Sequence, residues 1–128
     1  MFNSTEIAKL FLRISLGVLI LFHGIHKVIH GIGGVKALLS SSDIPTILAY
    51  GVYLGELIAP IFIILGLYAR VAALVLAFDM LMAIFLAYGF SFSLAKYGGL
   101  TFESPLIFMI MSISVALLGS GKYGVNNK

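Results

Sequence analysis

Long apolar runs, broken by a few isolated charges, dominate this chain. A membrane-crossing helix needs about 20 apolar residues to match a hydrocarbon layer of roughly 30 Å. Four stretches read as such spans, at about 7–29, 46–67, 71–88 and 105–118. The last is the shortest, and local bilayer thinning or flanking residues can accommodate a short span. Tyr68-Ala69-Arg70 leaves only a tight turn, so the second and third spans are expected to form an antiparallel hairpin. The longest connection runs over 30–45. It opens with Gly31, Gly33 and Gly34 and closes with Ser40-Ser41-Ser42-Asp43. Between them Val35, Ala37, Leu38 and Leu39 predict a short interfacial helix. Ser104-Pro105 reads as an N-cap followed by proline in the first turn. Gly119, Gly121 and Gly124 end the last span.

The expected architecture is therefore all-α: an integral membrane four-helix bundle in one domain over 1–128. The first span has no small-x-small cleavage site after it, and its apolar region is long for a signal peptide, so it is read as retained. Four spans put both termini on one side. That side carries Lys9, Arg13, Arg70, Lys122 and Lys128, against Lys27, Lys36 and Lys96 on the other. The positive-inside bias makes the terminal side the cytoplasmic one.

Composition sharpens the class. Hydrophobic residues make up 61% of the 128, charged residues 10%, and mean hydropathy is +1.14. A soluble domain carries about a quarter charged residues. The formal net charge of +3 is scattered, with no basic run of the kind that binds nucleic acid. There is no cysteine, which removes thiol–disulfide chemistry, thiolate metal sites and iron–sulfur ligation from this chain.

The charges inside the spans carry the functional signal. A charge at a helix centre in lipid costs about 2.5–3.5 kcal/mol on insertion scales, so it turns inward and often marks a site. At about 1.5 Å per residue, Arg13 lies roughly 8–9 Å from the terminal side, Asp79 roughly 12 Å, Glu56 roughly 16 Å and His23 roughly 22–24 Å. An interior network is expected, with Arg13 bound to Asp79 or Glu56 and His23 beside Glu56. Arg13, Gly17, Ile20, Gly24 and Lys27 share one face of the first span. Tyr53, Glu56 and Pro60 share a face of the second, where Pro60 frees a carbonyl near Glu56. Asp79, Met82, Ala83 and Leu86 share a face of the third. Gly17 and Gly24 invite a close helix neighbour.

Each of these residues also has a plainer reading. Arg13, Lys9 and Lys27 have arms long enough to snorkel to the nearer surface, and Lys27 is expected to do so. Glu56 and Asp79 are too short and too deep for that; a buried polar partner that fixes helix register accounts for them as well as a ligand does. Tyr68, Tyr88 and Tyr97 read as interfacial belt residues. Met80, Met82, Met109 and Met111 read as gap fillers. His23, His26 and His30 have spacings compatible with metal ligation. Bis-histidine haem would need a histidine on another span, and the sequence has none. No metal site is assigned; His23 is expected to be buried and hydrogen-bonded, with His26 and His30 near the surface.

Several motifs together resemble the DoxX family of small bacterial membrane proteins. Leu12-Arg13-Ile14-Ser15-Leu16-Gly17 running into Phe22-His23-Gly24-Ile25-His26-Lys27 is similar to its first-helix pattern. Gly55-Glu56-Leu57-Ile58-Ala59-Pro60, then Leu65-Gly66-Leu67-Tyr68-Ala69-Arg70, resembles its second-helix motif and turn. Met82-Ala83 and the closing Gly119-Ser120-Gly121-Lys122-Tyr123 match as well. The resemblance implies a four-helix transmembrane bundle in a bacterial plasma (inner) membrane. It implies links to oxidoreductase assemblies, among them thiosulfate oxidation with quinone as acceptor, or to oxidative-stress complexes; more distant relatives act as membrane chaperones or cargo receptors.

Two functions follow as expectations. In the first, the chain is a membrane component of a redox system and binds a quinone-like or other small lipophilic ligand. Arg13, His23, Glu56 and Asp79 form its charged layer, with His26, Lys27 and Tyr53 as secondary candidates. In the second it is a non-catalytic scaffold, chaperone or assembly factor. Whether the chain is itself catalytic is left open. The expected partners are membrane lipid and a protein of a redox complex, with a homo-oligomer also open.

Overall fold

A computed structural model describes residues 4–89 and 98–126, apart from the side chain of Tyr88. Lys96, Tyr97 and Lys128 lie outside the described residues. Five helices account for most of the rest: α1 (Ser4–His30), α2 (Gly33–Ser41), α3 (Thr46–Leu65), α4 (Ala69–Ala87) and α5 (Glu103–Leu118). No strand occurs among the described residues. The all-helical class is as expected. Three helices, α1, α3 and α4, are long and apolar enough to cross a membrane. The fourth expected span, α5, is apolar but has 16 residues. The short helix expected after the first span is α2.

The boundaries have physical causes. α3 stops at Leu65, two residues short of the expected end, because Gly66 turns left-handed at φ 70°. Gly66 N–H then bonds the Ile63 carbonyl at 3.2 Å and Leu67 N–H the Phe62 carbonyl at 3.0 Å, which is a Schellman close. Tyr68 is also left-handed, at φ 49°, and lets α4 start at Ala69. Ser104 is not an N-cap. Phe102 holds that position without a side-chain bond, and Ser104 lies inside the first turn. Pro105 stays in that turn, where a missing N–H costs nothing.

α1 packs on α3 and α5, and α4 packs on α3 and α5. Leu16, Ile20, Ile63, Ala73, Leu76 and Val115 are sealed between them. α1 meets α3 through glycine. A Cβ on Gly24 would fall 2.1 Å from the Glu56 carbonyl oxygen, and one on Gly17 would fall 2.4 Å from Ile64 Cγ1. The small-residue face read from the sequence is thus a backbone-to-backbone approach. At the end away from the termini, α2 lies over a second cluster of Ile32, Leu39 and Ala49, joined by Tyr53 and Leu86.

The terminal end is tied down by polar accounting. The last four carbonyls of α3 have no partner within the helix. Phe62 and Ile63 are served by the Schellman close. Arg13 Nη1 donates to Ile63 O and Ile64 O, each at 3.1 Å. Val125 N–H donates to Leu65 O at 3.1 Å, and Ser120 Oγ and Asn126 N–H reach Gly66 O at 2.9 and 3.1 Å. Glu6 accepts the Lys122 N–H at 2.6 Å. The segment after α5 therefore folds back over the α3–α4 turn.

Candidate ligand-binding site

One local irregularity aims the central carboxylate. Pro60 has no N–H to give to the carbonyl four residues back, which belongs to Glu56. Just upstream, Leu54–Ile58 widens into a π turn, and the Ala59 N–H reaches the Leu54 carbonyl five residues back. Such bulges inside helices are frequent at functional sites. Glu56 sits in this turn, 3% exposed.

Its partner is Lys27, one turn before the end of α1. The ammonium lies 2.8 Å from Glu56 Oε1 and 2.7 Å from Oε2. Lys27 was expected to snorkel away. It does not, because Gly24 brings α1 onto the backbone of Glu56 and the lysine arm then reaches the carboxylate. Asp79 arrives from α4 on the other side. Gly55 leaves room for it, since a Cβ there would fall 2.7 Å from Asp79 Cβ. Asp79 lines the same cavity as Glu56, and its Oδ2 is buried and meets no partner among the described residues.

These groups line a cavity of about 340 Å³. α1 supplies Ile20, His23 and Lys27, and α3 supplies Val52 and Glu56. α4 supplies Asp79, Met82, Ala83 and Leu86, which is the face read from the sequence. Val35 and Leu38 of α2 and Ser104 and Phe108 of α5 complete the wall. The result is a mostly apolar chamber with charge concentrated at one place.

Two expectations need correction. Arg13 does not join the carboxylates. It is buried and bonds backbone carbonyls at the opposite end of α3, and its Nε and Nη2 meet no partner among the described residues. Asp79 lies level with Gly55 rather than with Arg13, so the depth ladder failed where helices start at different heights. His23 lines the same cavity as Glu56 but is exposed rather than buried, and its ring meets Phe108 edge-on at 5.7 Å. Tyr53 donates a long bond of 3.4 Å to the Lys27 carbonyl. His26 lies outside the cavity, with its ring 4.3 Å from that of His30. Sequence reasoning missed Gly55 and Phe108. A glycine next to an intramembrane carboxylate is a usable signal for Gly55; Phe108 sits in an unbroken apolar run and gives none.

A sequence profile of the DoxX family matches residues 8–89. The chain belongs to the DoxX family. The matched region holds Lys27, Glu56 and Asp79, while the part of the cavity wall built by α5 lies beyond it. No curated protein and no solved structure matches the chain. In this DoxX protein no group of three or more His, Cys, Asp or Glu side chains is placed to hold a metal among the described residues.

Proposed function

We propose that this DoxX protein is a membrane component of a redox system that binds a quinone-like or other small lipophilic ligand in the cavity between its helices. It spans the bacterial inner membrane four times, with both termini in the cytoplasm. The observation that carries this reading is the Lys27–Glu56 ion pair, with Asp79, on the wall of a mostly apolar chamber of about 340 Å³. Ligand sites are commonly chambers of roughly 300–1,000 Å³ with apolar walls and a few convergent polar groups. A planar ring fits the walls, and a carbonyl or hydroxyl oxygen fits the charged end.

A bound quinone would supply electron acceptance, with electrons delivered by a partner protein. The chain's own residues bind and move a proton. Lys27 fixes the Glu56 carboxylate at the cavity wall. Glu56 and Asp79 exchange a proton with a ligand oxygen, as general acid–base groups do at hydrogen-bond distance. Apolar side chains from the surrounding helices line most of the chamber around that exchange.

The test is binding of a short-chain quinone analogue to the protein in nanodiscs. Glu56→Gln combined with His23→Ala is expected to weaken binding at least tenfold while the helices stay folded. Unchanged binding in that double variant overturns the reading. Loss of folding in place of loss of binding, with a stoichiometric partner protein co-purifying, favours the scaffold role.

A further inference from the structure

A second cluster of chemistry-bearing side chains lies outside the cavity, at the C-terminal end of α1. We propose that His26 and His30 form a two-imidazole chelate for a borderline divalent transition metal, with Cu(II) held above Ni(II) and Zn(II). Residues four apart on a helix present their side chains one above the other, and a histidine pair at this spacing is a recurrent way to grip such a metal.

The ring geometry fits. The two centroids are 4.3 Å apart and the rings are inclined at 41°. An imidazole nitrogen binds at about 2.0–2.1 Å. The ring centre then lies roughly 3.2 Å from the metal, and two rings at a right angle stand about 4.5 Å apart. The observed spacing is within a small side-chain adjustment of that value.

The surroundings favour a cation. His30 lies in the last turn of α1 and His26 one turn before it, near the helix end whose unpaired carbonyls carry partial negative charge. The nearest fixed cation, Lys27, is neutralised by Glu56 at 2.7 Å. Both histidines are exposed, so the remaining coordination positions are open to further ligands. With two protein ligands the metal is exchangeable rather than structural. Neutral imidazole suits copper, nickel and zinc and not calcium or magnesium, and copper leads the affinity order.

The experiment uses the full chain in nanodiscs with its affinity tag removed, titrated with Cu(II) and followed by electron paramagnetic resonance. The sequence has only three histidines and no cysteine, so the background is small. One copper per chain with two nitrogen ligands is expected. His26→Ala and His30→Ala are each expected to lower the affinity at least tenfold. A register variant, Val28→His with His30→Val, keeps the number of histidines but places the pair two residues apart, where side chains do not face each other. It is expected to bind like the single variants, with circular dichroism unchanged. If it binds copper as tightly as the parent, or if the parent signal shows no paired imidazole nitrogens, the chelate does not exist.

Discussion

Lys27 on α1 holds both carboxylate oxygens of Glu56 on α3, at 2.8 and 2.7 Å. The two partners are unequally buried, with side chains 28% and 4% exposed. Removing one member of a buried pair strands the other, at a cost of about 3–5 kcal/mol when both are fully enclosed. Here the costs should be unequal. Lys27→Met leaves a deeply buried carboxylate alone and should lose about 2–4 kcal/mol. Glu56→Gln leaves a lysine that can still reach water and should lose less. The double variant should recover most of the loss. Thermal unfolding of the four proteins in one detergent measures this, and additive losses would mean the pair is not coupled.

Gly24 is the position on which that pair depends. A Cβ there would lie 2.1 Å from the Glu56 carbonyl oxygen and 2.7 Å from its carbon, and backbone cannot swing aside. Gly24→Ala should force α1 away from α3, at a cost of about 1–3 kcal/mol, and loosen the Lys27–Glu56 contact. Gly17→Ala meets mainly the Ile64 side chain and should cost less. Gly33→Ala in α2 meets nothing within 4 Å and should be neutral or mildly stabilising, since alanine is the better helix former. A thermal-shift series with the order Gly24, Gly17, Gly33 checks the register; equal effects would contradict it.

The same residues show what the sequence makes legible. Apolar run length gave the helices, because crossing a hydrocarbon layer fixes length more tightly than any local propensity does. The faces on α1 and α4 were legible from helical phase, and Asp79, Met82, Ala83 and Leu86 do line one cavity. Partner choice was not legible. Arg13 had a carboxylate at a compatible depth on paper, whereas Lys27 was expected to snorkel to the nearer surface. The choice depended on where Gly24 and Gly55 allow close contact and on the unpaired carbonyls at the end of α3. Those are relations between helices, and phase within one helix does not encode them.

Arg13 gives a prediction about the opposite end. Its Nη1 serves two carbonyls that otherwise have no helical partner, Ile63 only by sharing with Gly66 N–H. The tail serves the next two through Val125, Asn126 and Ser120. An unmet buried polar group costs about 1–3 kcal/mol. Arg13→Leu should therefore destabilise by about 2–4 kcal/mol with little direct effect on the cavity. Truncation after Gly119 should expose the α3–α4 turn to limited proteolysis. Binding of a quinone analogue by the fraction that stays folded should match the parent. A specific loss of binding in folded Arg13→Leu would place this residue in the ligand site after all.

Pro60 separates aiming from stability. It withholds an N–H from the Glu56 carbonyl, and the wide turn over Leu54–Ile58 follows immediately upstream. Pro60→Ala returns the donor, so the helix can tighten to regular α pitch. Tightening rotates the residues upstream relative to those downstream and turns the Glu56 side chain from Lys27 and the cavity. The buried proline ring is also lost, which leaves a small void and offsets the gain in helix hydrogen bonding. Net stability should thus change little, within about 1–2 kcal/mol, while the Lys27–Glu56 coupling energy falls toward zero and quinone-analogue binding drops with it. A double-mutant cycle on Lys27 and Glu56, repeated in the Pro60→Ala background, measures this directly. A coupling energy unchanged by that substitution would mean the bulge has another cause and that Glu56 is aimed by α1 alone.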